Sequence, residues 1–184
     1  MKTPRLQCGA MAACLALLLG CALAANGPAA LAQKSAWRAA TDAELAALLP
    51  ARAPVEKEHI ETEMRTASGI TDGKGHFIAG IVLITAGYSA DGKYSHYLVV
   101  QSPMHIGSVS LPPGEYALGW ERNAAGDGLN VHFNEALTGK LVGVAEAHPI
   151  PGNFRIASLR IWPPGDRPLI QIGRFGVPYE LDGQ

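Results

Sequence analysis

The chain is short of the side chains that most often reveal a chemistry. Its three cysteines, Cys8, Cys14 and Cys21, all fall near the N-terminus. A protein that sheds this segment keeps no thiol, which excludes disulfides, thiolate metal sites and a cysteine nucleophile from what remains. Charge of one sign is also missing: 15 Lys and Arg oppose 16 Asp and Glu, for a formal net charge of −1. Without a basic excess there is no electrostatic footprint for nucleic acid or for an anionic membrane surface. No Gly-rich phosphate loop, no H-x-H or H-E-x-x-H spacing and no long amphipathic helix is present either. Stability must therefore come from the core. A chain of roughly 150 residues can bury about 70% of its unfolded surface, enough for one domain without staples.

What is present begins with an export pattern. Lys2 and Arg5 precede an apolar stretch from Ala10 to Ala25, and Asn26-Gly27-Pro28 follows at once. A basic start and an apolar middle make a secretory signal, and the helix breakers argue against a retained transmembrane span. Ala30-Leu31-Ala32 supplies small residues where signal peptidase requires them, which makes 1–32 the signal peptide and Gln33 the mature start. A second processing route stays open. Leu18-Leu19-Gly20-Cys21 resembles the bacterial lipobox, with a signal over 1–20, a lipidated Cys21 and a tether running to about Gln33. The first route makes the protein periplasmic or secreted; the second anchors it to the membrane by lipid.

Residues 33–54 read as a linker with one short helix. Thr41-Asp42-Ala43-Glu44 is a capping box, Leu45, Leu48 and Leu49 form an apolar stripe, and Pro50 and Pro54 stop it. From Val55 to the C-terminus the period changes to two. Phe77 to Tyr88 is a nearly unbroken apolar run rich in β-branched residues, as for a central strand covered on both faces. Asp91-Gly92-Lys93 predicts a hairpin into "YSHYLVV", and Asp72-Gly73-Lys74 and Leu137-Thr138-Gly139-Lys140 predict further turns. Tyr116, Leu118 and Trp120 alternate toward one face as a core face, and Leu129, Val131 and Phe133 repeat the pattern. Together these make residues 55–184 an all-β domain, an antiparallel β-sandwich or partly closed barrel of about eight strands.

Pro112-Pro113-Gly114 interrupts the alternation as a corner, with Gly114 expected at positive φ in a type II turn. The stretch Leu111-Pro112-Pro113-Gly114-Glu115-Tyr116-Ala117-Leu118 resembles the L-x-P-G-x-Y-x-L corner of transthyretin-like and carboxypeptidase-regulatory-like β-sandwich domains. It is similar also to corners in secreted bacterial β-sandwiches of unknown function. The resemblance covers about ten residues. It implies a fold and carries no catalytic residue.

Four constellations bear on function. Gly87-Tyr88-Ser89-Ala90-Asp91 approaches a nucleophile elbow but leads into a hairpin, where an elbow needs a strand-to-helix turn. His59, Glu61 and Glu63 share one face of a strand and suit a divalent metal, the one cofactor these residues could hold; Lys57 and Arg65 on that face instead make a charge-mixed edge. Asn130, His132 and Asn134, beside Tyr94, His96 and Tyr97, offer the amides, imidazole and aromatics that hold a small polar ligand. Arg155, Arg160, Arg167 and Arg174 cluster near Trp162, but alternation sets Arg155 and Arg160 on opposite faces, against an anion site. The functional expectation is an exported, non-enzymatic module of a bacterial envelope that binds a small ligand or an envelope protein. The alternatives are a metal-assisted hydrolase with converging histidines and a purely structural protein.

Overall fold

The capping box forms as the spacing predicts. In the computed structural model, which describes residues 37–182, Thr41 Oγ1 accepts from the Glu44 amide at 3.3 Å and the Glu44 carboxylate accepts from the Thr41 amide at 2.8 Å. Helix α1 spans Asp42–Leu48 and sends Leu45 into the core, with Leu49 just beyond it. The expected signal over 1–32 and the lipidation candidate Cys21 lie outside the described residues. No helix among the described residues is long and apolar enough to cross a membrane.

The fold is mostly β, with thirteen strands among the described residues where about eight were expected. The chain begins with β1 (Arg38–Ala39), β2 (Arg52–Val55), β3 (Glu58–Thr71), β4 (Phe77–Leu83) and β5 (His96–Val100). A small hairpin of β6 (Met104–Ile106) and β7 (Val109–Leu111) leads to β8 (Gly114–Arg122), β9 (Leu129–Glu135) and β10 (Leu141–Pro149). It ends with β11 (Ala157–Ile161), β12 (Leu169–Gly173) and β13 (Phe175–Leu181). The extra strands have local causes. Gly173, at φ 63°, lets Gly173-Arg174 turn a two-residue hairpin that divides the run "LIQIGRFGV", while β1 and β2 come from the segment read as linker.

The antiparallel order is β1-β3-β4-β5-β8-β9-β10-β13-β12-β11. The last strand returns beside the first ones: β11 packs on β3 and β4, and the Ile161 amide donates to Ser68 Oγ at 2.9 Å. The sheet thus nearly closes into a barrel. Gly80 makes that return possible, since a Cβ there would sit 2.8 Å from the Leu159 side chain.

Both faces of the central strands are covered, as the apolar run over β4 requires. Ile78, Leu98, Leu118 and Phe133 face inward with the β11–β13 side chains. Ala79, Ile81, Tyr97 and Ala117 face outward beneath α1, β2 and the segment 84–95. β4 ends at Leu83, earlier than the expected Tyr88. Its pairing with β5 holds, but the connection runs over residues 84–95 and not through a tight Asp-Gly turn; Gly92 (φ 73°) instead closes a helical turn in which Lys93 and Tyr94 amides donate to Ala90 O. That segment crosses β8 so closely that a Cβ at Gly119 would lie 2.2 Å from Lys93 O.

Pro112-Pro113 is a corner, built differently from the expected type II turn. Gly114 has no positive φ and opens β8 opposite Val100. Tyr116 closes the corner by donating its hydroxyl to Pro112 O at 2.6 Å. A second correction concerns Trp120. It shares the face of buried Tyr116 and Leu118, yet 48% of it is exposed, because β8 runs past the end of the strands that cover it.

Candidate functional site

That overhang marks the open end of the barrel, where a cavity of about 470 Å³ lies between β5, β8, β9 and the β12–β13 hairpin. Its walls are mostly apolar: Trp120 from β8, Leu129 from β9, Ile156 ahead of β11, Ile172 from β12 and Phe175 from β13. Trp120 and Ile156 are among the most exposed large apolar side chains of the protein. A volume of this size lies within the range of small-molecule sites.

The polar part of the cavity centres on His96, which is only 4% exposed. Its Nε2 faces Ser158 O at 3.2 Å and its Nδ1 faces Ser95 Oγ at 2.8 Å. A carbonyl can only accept, so Nε2 carries the proton and Nδ1 accepts from the Ser95 hydroxyl, whose single proton is shared with Leu118 O at 3.2 Å. Burial lowers the imidazole pKa to about 4, against the smaller opposing pull of the Ser158 carbonyl. At the rim stand Arg122 and Arg174. Arg122 donates to Gly126 O at 3.2 Å and lies over the Phe175 ring.

Ser95 beside a correctly protonated His96 has the outline of a nucleophile and its base. The base is a poor one. Its second nitrogen faces a carbonyl and not a carboxylate, and holding a proton on a group with pKa about 4 at pH 7 costs about 4 kcal/mol.

The residues proposed as a polar ligand face divide between the two faces of the sheet. Asn134 stands opposite Ala117 and His132 opposite Gly119, whereas His96 stands opposite Leu118. Directly paired residues share a face, so His96 turns inward while Asn130, His132 and Asn134 turn outward. The outward group has its own partners: Asn134 Nδ2 donates to Ala117 O at 3.3 Å, and His132 Nε2 lies 3.4 Å from Glu121. Tyr94 donates its hydroxyl at 2.8 Å to Glu56, which Lys93 also bonds. His96 and Tyr94 alone among the six line the cavity.

His59, Glu61 and Glu63 do lie on one strand, β3, as read. Glu61 pairs with Arg52 of β2 at 2.8 Å and Glu63 with Arg65 at 2.9 Å. Lys57, the expected partner, is replaced by the residue that register sets across from Glu61. Among the described residues no three His, Cys, Asp or Glu side chains gather as a metal site. Comparison with family models, curated proteins and solved structures finds no match. The site must therefore be read from its own chemistry.

Arg155 and Arg160, which alternation sets on opposite faces, both line one polar groove with Arg65. Arg155 precedes the first residue of β11, so the two-residue period does not extend to it.

Proposed function

We propose that the protein is an exported, non-catalytic binding module of the cell envelope whose ligand places an apolar body in the cavity at the open end of the barrel. The observation that carries this reading is the cavity itself, about 470 Å³ with walls of Trp120, Leu129, Ile156, Ile172 and Phe175. Exposed Trp and Ile at the mouth of a concave apolar site are a feature that folding alone does not require. The weak base beside Ser95 speaks for binding over hydrolysis. The small polar ligand expected from the sequence gives way to a largely apolar one, because the outward amides and His132 do not reach the cavity.

The test is calorimetric titration of the mature protein with a medium-chain monoacylglycerol, a neutral amphiphile, followed also by Trp fluorescence. Binding should weaken about tenfold in Trp120→Ala, the equivalent of about 1.4 kcal/mol. No binding, or binding unchanged by Trp120→Ala, removes the proposal.

A further inference from the structure

We infer that the ligand is an amphiphile with a phosphate head, and that the head sits in the arginine groove on the other side of Ile156 from the cavity. This rests on the reading that the cavity holds the apolar body. The groove measures about 440 Å³ and is lined by Arg65, Arg155, Arg160 and Ser68 among others. Ile156 and Ser158 line the cavity and the groove alike, so the two depressions meet along the start of β11 and the residue ahead of it. A molecule with one apolar and one anionic end can occupy both at once by crossing a single side chain.

The chemistry of the groove is that of an anion site. No acidic residue lines it. Arg155 and Arg160 form no ion pair among the described residues, and Arg65 shares its charge with Glu63 through a side chain that is 88% exposed. The Arg160 guanidinium carbon lies 3.6 Å from the centroid of the Trp162 ring, a cation–π contact that uses none of its N–H donors. Ser68 Oγ accepts from the Ile161 amide, so its own proton is left to donate. Guanidinium forks match the oxygens of a phosphate two at a time, and two unneutralised arginines suit a dianionic head. The other rim offers one arginine fewer: Arg122 is already tied to Gly126 O and stacked on Phe175, which leaves Arg174 there.

The experiment compares two probes that share one acyl chain, a monoacylglycerol and its phosphate ester, by titration calorimetry at low and high salt. The phosphate ester should bind about tenfold more tightly at low salt, with the advantage shrinking as salt screens the arginines. Arg155→Gln with Arg160→Gln should remove that advantage and leave the affinity for the neutral probe unchanged, which also shows the variant to be folded. If the double variant does not fold, Arg155→Gln alone replaces it and should halve the advantage or more. Equal binding of both probes by the wild type overturns the headgroup site and leaves the cavity reading intact. So does an advantage that survives Arg155→Gln/Arg160→Gln and disappears in Arg122→Gln/Arg174→Gln. Failure of both probes to bind overturns the cavity reading and the headgroup site together.

Discussion

Lowering the pH should destabilise this protein through His96 before its ion-paired carboxylates matter. The imidazole is held near pKa 4 in the folded chain and returns to about 6.5 when unfolded. The unfolded state therefore binds the extra proton between these values, and stability falls as pH falls through that window. With these two pKa values the loss between pH 7.5 and pH 5 comes to about 2 kcal/mol, or roughly 4–8 °C in Tm for a domain of this size. Glu44 and Glu63, which Arg38 and Arg65 hold down at about 2, contribute only below about pH 5. The assay is urea unfolding followed by Trp fluorescence at several pH values, for wild type and for His96→Gln. Glutamine can still donate to the Ser158 carbonyl but takes no proton, so its stability should stay flat across the window. A wild-type change below about 0.5 kcal/mol, or an equal slope in His96→Gln, would refute the assignment of a neutral buried imidazole.

Tyr116→Phe should cost about 1–2 kcal/mol in urea unfolding, because it leaves Pro112 O without its donor and the corner without its closure. Trp120→Ala should cost about 1 kcal/mol or less by the same measurement, since half the ring is already in water; a loss above about 3 kcal/mol would restore it to the core. Gly119→Ala should destabilise by about 1–3 kcal/mol, because its Cβ meets the backbone of Lys93 and not a flexible side-chain tip. Thr41→Ala should cost about 1 kcal/mol through the lost helix cap, and a thermal melt identical to wild type would show that α1 is held by Leu45 and Leu49 alone.

Local chemistry was legible in the sequence where neighbours in the chain decide it. The capping box and the turn at Gly139 (φ 68°) depend on residues close together, and each formed as read; the two-sided burial of β4 was legible in its own unbroken apolar run, though distant elements supply the cover. Alternation told which way Trp120 points, but not that the covering strands stop short of it; that limit is set by β11–β13, some forty residues further on. The cavity was illegible for the same reason. His96, Trp120, Ile156 and Phe175 carry no common spacing, and only the return of the last strands to β3 and β4 brings them together. The groove of Arg155 and Arg160 was hidden for another reason: β11 begins at Ala157, so a two-residue period says nothing of where Arg155 lies.

The barrel's join has a mechanical consequence. Among the described residues β3 and β11 share no ladder, and the Ile161 amide instead rests on the Ser68 hydroxyl. A cylinder fastened there by a side chain has a preferred line of rupture, and fluctuations that open it should cost less than separating β4 from β5. Hydrogen exchange would show this as early labelling of β11 against late labelling of β4, β5 and β8. Ile156 lies just ahead of that same strand and Ser158 within it, so each such breath would widen the wall between cavity and groove. The way in for a bulky guest would then be the wall itself, and uniform labelling of β11 with the central strands would rule that route out.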